Sequence, residues 1–268
     1  MRAIANIAPA RLWAAMAIDI SAILLAAGAG MLGGAMNALA GGGTFATLPA
    51  LIALGLPANM ANATSNIALL PGAAASAWSY RRELGPIGGL SVKLIVALTF
   101  VFGMVGSLLL VLTPTTTFDF LIPWLLLFAF MIMLFGKQAA DLLHARVTIG
   151  RSTLITTQCA IGIYGGYFGG GAGLILTAVY GLLANIHPRE LFAIRVTMLG
   201  AANFAAAFVF IWFGMIKWWA CVPMVVGSIA GGWLGAAFGK RISPQVVRLW
   251  TLLVTAVTTV VFFIRAYG

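Results

Sequence analysis

Ala40-Gly41-Gly42-Gly43-Thr44, running into Phe45-Ala46-Thr47-Leu48-Pro49, and Gly169-Gly170-Gly171, running into Ala172-Gly173-Leu174-Ile175, are the two stretches on which the fold turns. Three glycines in succession favour neither a helix nor a packing stripe, because glycine loses more backbone freedom on ordering than any other residue. Each triplet feeds an apolar run of only about fourteen residues, 44 to 57 and 172 to 186, whereas a helix needs about twenty to cross the hydrocarbon. These runs are expected not to cross alone. They read as broken or re-entrant helices, whose irregular backbone is tolerated only where protein or a watery cavity covers it.

The chain around them belongs in a bilayer. Of 268 residues, 62% are apolar and 7% charged, against about 25% charged in soluble domains. The mean hydropathy of +1.08 is spread along the chain, which excludes a soluble enzyme held by a single anchor. The longer apolar runs fall at 12 to 40, 60 to 80, 88 to 113 and 119 to 136, then at 152 to 168, 190 to 213, 218 to 239 and 244 to 265. The run from Leu12 is too long for the apolar core of a secretory signal and reads as the first spanning helix.

Weak self-similarity divides the chain in two. Besides the triglycines, Pro57 matches Pro188, Gly85 matches Gly214, and Gly103 with Gly106 matches Gly232 with Gly235. The expected architecture is an all-α polytopic membrane protein of two tandem homologous halves, 1–136 and 152–268, joined by a polar cytoplasmic linker, 137–151. It has about eight spanning helices plus the two short ones. Such duplication is a building plan of secondary transporters. In the eight-span path both termini lie inside, with Arg2, Arg11, Arg81, Arg82, Lys137, Arg146, Arg151, Lys217 and Arg265. Arg189, Lys240, Arg241 and the loop from Thr113 to Phe118 lie outside. If the short runs do cross, a five-plus-five inverted path with both termini outside still keeps Arg81, Arg82 and the linker inside.

The net charge of +10 would suggest nucleic acid in a soluble protein. Here the basic residues sit in short loops that set orientation, and no basic patch is interleaved with exposed aromatics, so nucleic acid is excluded as a partner. Cys159 and Cys221 lack CxxC spacing and read as packed thiols; no metal site and no cofactor is expected. Gly227, Gly231, Gly235 and Gly239, and Gly162, Gly166 and Gly170, recur every four residues. That spacing marks close helix contacts within the bundle and by itself argues for no dimer; a homo-oligomer stays open.

The candidate chemistry is anion binding. Gly169 to Gly173 has no following Lys-Ser or Lys-Thr and no flanking strand, so a nucleotide loop is rejected. What remains is a glycine turn at a short helix's N-terminus, where free N–H groups and the helix dipole favour an anion. Gly41, Gly42, Gly43 and Thr44 repeat it in the first half, the alternative being a plain helix breaker. Asn62, Thr64, Ser65 and Asn66 cluster near the start of an otherwise apolar segment, as substrate ligands or as bonds to a neighbouring helix. Arg195 with Thr197, followed by Asn203, stands at the related place in the second half. Arginine at depth is costly and its planar fork suits oxyanions, so Arg195 either faces a cavity, snorkels, or pairs with Glu190 or Asp19. Asp19 is the candidate proton carrier. No HExxH, paired acids or Ser/His/Asp set supports an enzyme.

Ala40-Gly41-Gly42-Gly43-Thr44, Ala61-Asn62-Ala63-Thr64-Ser65, Gly169-Gly170-Gly171 and the two-half layout together resemble the TauE/SafE sulfite exporter family, grouped with sulfonate permeases of bacterial inner membranes. The resemblance covers nearly the whole chain. It implies a multi-pass transporter that exports sulfite, organosulfonates or related small anions without ATP, the alternatives being a passive anion channel, an uptake permease or, more remotely, a membrane enzyme. The chain departs from the pattern at Arg195-Val196-Thr197-Met198, where a Thr-Ser pair is implied.

Overall fold

The computed structural model describes residues 20–144, 150–183, 188–239 and 243–268, and among these the chain is helical almost throughout. Ten helices follow in order: α1 (Ile20–Leu39), α2 (Thr44–Ala53), α3 (Ala58–Ser79), α4 (Val92–Leu112), α5 (Thr115–His144), α6 (Arg151–Tyr167), α7 (Ala172–Leu183), α8 (Pro188–Trp212), α9 (Trp218–Gly239) and α10 (Pro244–Tyr267). The triglycines interrupt the chain as expected. Gly41, Gly169 and Gly171 have φ of 84°, 73° and 77°, left-handed values that end α1 and α6 and turn the chain back. At about 1.5 Å per residue, α2 with 10 residues and α7 with 12 reach only about half-way across the hydrocarbon.

Among the described residues six helices are long and apolar enough to cross a bilayer: α1, α4, α5, α8, α9 and α10. The 22 residues of α3 have the length, but Asn62, Thr64, Ser65 and Asn66 make its middle polar. All four are buried among other helices, so lipid does not test them.

Every helix runs opposite to its predecessor. Helix α1 is parallel to α9, since Gly30 lies against Met224, Gly34 against Ser228 and Met31 against Gly231. Helix α3 is parallel to α9 through Thr64 with Lys217 and Ala68 with Ser228, and antiparallel to α8 through Asn66 with Asn203 and Tyr80 with Phe192. Helix α4 is parallel to α6 and α8, since Gly103 touches Gly166 and Ala202, while Thr99 meets Gln158 and Met198. Helices α5 and α10 are antiparallel, joined by the Arg265–Asp119 ion pair at one end and by Arg248 with the Leu134 carbonyl towards the other.

Neighbours also exchange in pairs between the two series of five. The first helix of each series packs on the fourth of the other (α1 on α9, α6 on α4), third packs on third (α3 on α8), and fifth on fifth (α5 on α10). Helix α2 lies along α10, and α7 along α5.

These directions overturn the eight-span path. That path makes α1 and α3 antiparallel, yet both run with α9. It also puts Arg265 at the end opposite the Thr113–Phe118 loop, whereas Arg265 pairs with Asp119 beside that loop. The physical reason is that each short helix reverses the chain, so α1–α2 and α6–α7 are hairpins entering from opposite ends. Leu69, in the middle of α3, lies against Gly33 and Gly43, so the first hairpin turns at about half depth. Consequently α1 begins and α10 finishes at the end away from Arg81. Lys217 joins Arg265 there, and Arg189, at the start of α8, joins Arg81 and Arg82. Exposed Trp78 stands at the Arg81 end and exposed Trp212 and Trp218 at the other, as two interfacial belts require.

Two boundaries also differ. Helix α5 continues through Lys137 to His144, so part of the expected linker is helical, and α3 starts at Ala58, a turn before the polar cluster. Arg2, Arg11, Asp19, Arg146, Lys240 and Arg241 lie outside the described residues.

The glycine stripes hold the hairpins. A methyl group on Gly231 would stand 1.8 Å from the Met31 carbonyl oxygen, and one on Gly166 would stand 1.9 Å from that of Gly103. Backbones in such contact gain dispersion over a long seam, which lipid cannot supply. Gly231→Ala therefore destabilises by about 2 kcal/mol through overpacking. Thermal unfolding should read this as a fall of about 6 °C. Gly28→Ala, whose added methyl meets nothing within 4 Å, is the control and leaves the midpoint unchanged or slightly higher. An equal fall in both variants would remove close packing as the cause.

Candidate functional site

The two breaks meet inside the protein. A Cβ on Gly41 would lie 3.2 Å from Gly173 Cα, and one on Gly173 would lie 3.1 Å from Gly41 Cα. The aliphatic stem of Arg195 crosses both, its Cδ 3.8 Å and 3.6 Å from those same positions. Only glycine at both places lets the end of α1, the start of α7 and an arginine stem share this volume. Gly42, Gly43 and Thr44 on one side, and Gly170 and Gly171 on the other, are buried. The N–H groups of Gly42, Gly43, Gly170 and Gly171 donate to no described backbone carbonyl.

Arg195 is the charged group at this junction. It is 7% exposed, and its Nε and Nη2 have no hydrogen-bond partner. Its Cζ sits 4.6 Å over the Phe192 ring, whose other neighbour is Tyr80, with ring centroids 4.6 Å apart. A cation over an aromatic face is attracted by about 1–2 kcal/mol, far less than the cost of dehydrating a guanidinium. Among the described residues the only ion pair is Arg265–Asp119. Glu190, one of the two expected partners, is exposed on the first turn of α8 near Gly85. Asp19, the other, is outside the described residues.

Arg195 lines a cavity of about 340 Å³. Its walls come from Asn37 near the end of α1, Ser76 and Tyr80 at the end of α3, Leu199 on α8, and Ser228 and Trp233 on α9. It thus extends from the level of the first break toward the Arg81 end. The wall offers one cation, several hydroxyls and an amide on an otherwise apolar surface, and no carboxylate. That combination favours a small anion with room for an apolar body. Ser228 donates its hydroxyl proton to the Ala68 carbonyl at 2.6 Å and Ser76 to the Gly72 carbonyl at 2.9 Å, so Tyr80 and Asn37 are the neutral wall groups left with donors for a ligand.

The remaining sequence candidates stand elsewhere. The triglycines lie behind the Arg195 stem and do not line the cavity. Ser65 is paired with Thr47 at 2.5 Å, and Thr64 accepts from the Lys217 N–H at 3.2 Å. Asn62 donates to the Tyr167 carbonyl at 3.1 Å, and Asn66 to Asn203 Oδ1 at 3.4 Å. Thr197 Oγ1 is buried without a partner. The first-half cluster is thus drawn to α2, α6, α8 and the α8–α9 turn, on the side of α3 away from the cavity mouth. Asn37, Tyr80, Ser228 and Trp233 were missed because each looks ordinary in sequence, and only the parallel packing of α1, α3 and α9 brings them together.

The family model described as sulfite exporter TauE/SafE matches residues 26–262. A "probable membrane transporter protein" of Haemophilus influenzae is 27% identical over 243 residues, spanning 89% of this chain and 94% of that protein. The "probable membrane transporter protein YfcA" of Escherichia coli is 25% identical over 239 residues, spanning 89% and 88%. No solved structure matches.

Proposed function

Because the chain belongs to the sulfite exporter TauE/SafE family, a family of multi-pass membrane transporters, we propose that it is a secondary transporter. Its cargo is a small sulfur-containing oxyanion such as sulfite or an organosulfonate, exported across the bacterial inner membrane. The observation that carries this reading is Arg195, a buried guanidinium whose Nε and Nη2 have no partner, on a residue that lines a cavity. A sulfonate or sulfite oxygen pair matches a guanidinium fork, and the hydroxyl of Tyr80 and the amide of Asn37, both on the cavity wall, complete a neutral cradle from which the anion can leave. The apolar wall around Leu199 and Trp233 takes the carbon body of a sulfonate.

The charge distribution supports export as the direction. Arg81, Arg82, Lys93, Lys137, Arg151, Arg189 and Arg248 stand at or near one end of the bundle, against Lys217 and Arg265 at the other. Basic residues mark the cytoplasmic face. The cavity then opens inward and loads from the cytoplasm, as an exporter requires. We read the exchange of neighbours between the two series of five as the product of duplication, which gives two mirrored states from one set of contacts.

The test is anion flux into proteoliposomes. A carrier saturates with concentration and shows counter-transport of unlabelled anion, whereas linear flux without exchange would make the protein a channel and overturn this reading.

A further inference from the structure

The Arg195 cavity is not closed on all sides. Of the residues that line it, Ile229 and Trp233 on α9 are 51% and 71% exposed, and Ala75 and Ser79 on α3 are exposed as well. Arg195, on the same wall, is buried. A space that has a buried guanidinium at one side and exposed residues of two helices at another opens to the surface between those helices.

The course of α3 explains the gap. Its first half packs on α9, with Thr64 accepting from the Lys217 N–H and Ala68 from the Ser228 hydroxyl. Pro71 then removes one intrahelical hydrogen bond from α3. Beyond it the helix stays with α8, since a methyl group on Gly200 would lie 3.9 Å from both Ala73 and Ala77, and Tyr80 meets Phe192. On the α9 side the space is empty. A methyl group on Gly72 would meet nothing within 4 Å, and one on Gly232 would meet only the Gly34 carbonyl oxygen, at 3.8 Å. Both glycines line the cavity. On Gly227, Gly231 and Gly235 the same methyl would stand 1.9, 1.8 and 2.9 Å from the backbone of α1. Those three are small because α1 presses on them; Gly72 and Gly232 have no such neighbour, and they keep the gap wide.

The gap faces hydrocarbon. Counted from exposed Trp218 at the start of α9, Ile229 and Trp233 lie about 16 and 22 Å along the helix, within a hydrocarbon layer about 30 Å thick. A hydrated ion does not approach from that side, because lipid excludes it. An anion attached to an apolar chain does, since its chain need never leave the bilayer. We propose that the sulfonates carried by this protein include those with a long alkyl chain, which enter sideways between α3 and α9, set the charged head on Arg195 and leave the chain in lipid. This rests on Arg195 as the anion ligand and adds the chain and its route.

The purified full-length chain, in nanodiscs of phosphatidylcholine, is titrated with ethanesulfonate and with 1-octanesulfonate, and binding is read from the rise of the unfolding midpoint. Octanesulfonate should bind about tenfold more tightly or better, because each methylene that leaves water strengthens association about fourfold. Gly72→Leu combined with Gly232→Leu fills the gap from both sides. It should weaken octanesulfonate by about tenfold and change ethanesulfonate by less than about twofold. Each single Leu variant should act in the same sense, and leucine favours a helix over glycine, so the fold is kept. Arg195→Met should lose octanesulfonate binding, which separates the site from plain partition into the bilayer. Exclusion of octanesulfonate while ethanesulfonate binds, or Leu variants that affect both alike, would overturn the side entrance and leave the anion reading standing. Absence of Arg195-dependent binding of either sulfonate would overturn both. Displacement of octanesulfonate by phosphatidylglycerol mixed into the nanodisc would make the occupant a phospholipid and overturn the alkyl sulfonate.

Discussion

Arg195→Met is expected to make the protein more stable and to stop it transporting. The guanidinium is buried without a carboxylate, and an ion held in this way costs several kcal/mol even after relaxation. Methionine keeps an unbranched apolar stem over Gly41 and Gly173 while removing the charge. Stability should rise by about 2 kcal/mol, seen as an unfolding midpoint about 6 °C higher. Transport should fall by about 100-fold or more, because two charge-assisted hydrogen bonds contribute roughly 3–5 kcal/mol together. The measurements are thermal unfolding and anion flux on the same preparation. Flux within a few-fold of the native protein would detach Arg195 from the substrate, and a lower midpoint would mean that an unseen partner compensates the charge.

The second expectation concerns orientation and is all-or-none. With α10 ending beside Asp119 at the sparsely charged end, the proposed orientation puts Gly268 outside the cytoplasm. Alkaline phosphatase fused after Gly268 should be active in intact cells, and green fluorescent protein fused there should be dark. The opposite pattern would place Arg81, Arg82, Lys93 and Arg151 outside, against the usual bias of basic residues, and would turn the Arg195 cavity into an uptake mouth.

Much of this architecture can be read along the chain because lipid makes local rules strict. Apolar length marks where helices exist, and the breaks fall at Gly41 to Gly43 and Gly169 to Gly171 because glycine alone enters those backbone angles without strain. Helix direction is different. Hydropathy treats a run of ten to fourteen residues in the same way whether it turns back or passes through, and one such ambiguity inverts everything after it. Contacts such as Arg265 with Asp119 resolve it, and no local pattern contains them. Helix α5 outlasts its apolar stretch for a related reason, since loss of hydropathy ends the membrane segment but not the backbone hydrogen bonding through Lys137 to His144.

The site was half visible. Arg195 stands out because charge inside an apolar run has few explanations. The Asn62 to Asn66 cluster stands out equally, yet its hydrogen bonds go to α2, α6 and α8, and the sequence does not reveal which way a helix face points. Asn37 and Tyr80 gain meaning only from what α9 and α8 place opposite them.

The seam between α1 and α9 has a consequence for biosynthesis. Its two sides are separated by nearly the whole message, so the opening hairpin emerges from the ribosome long before the surface it needs exists. Until Gly227 and Gly231 are translated, that hairpin must wait in the membrane with its glycine face unclaimed, and a chain cut at the midpoint leaves it waiting.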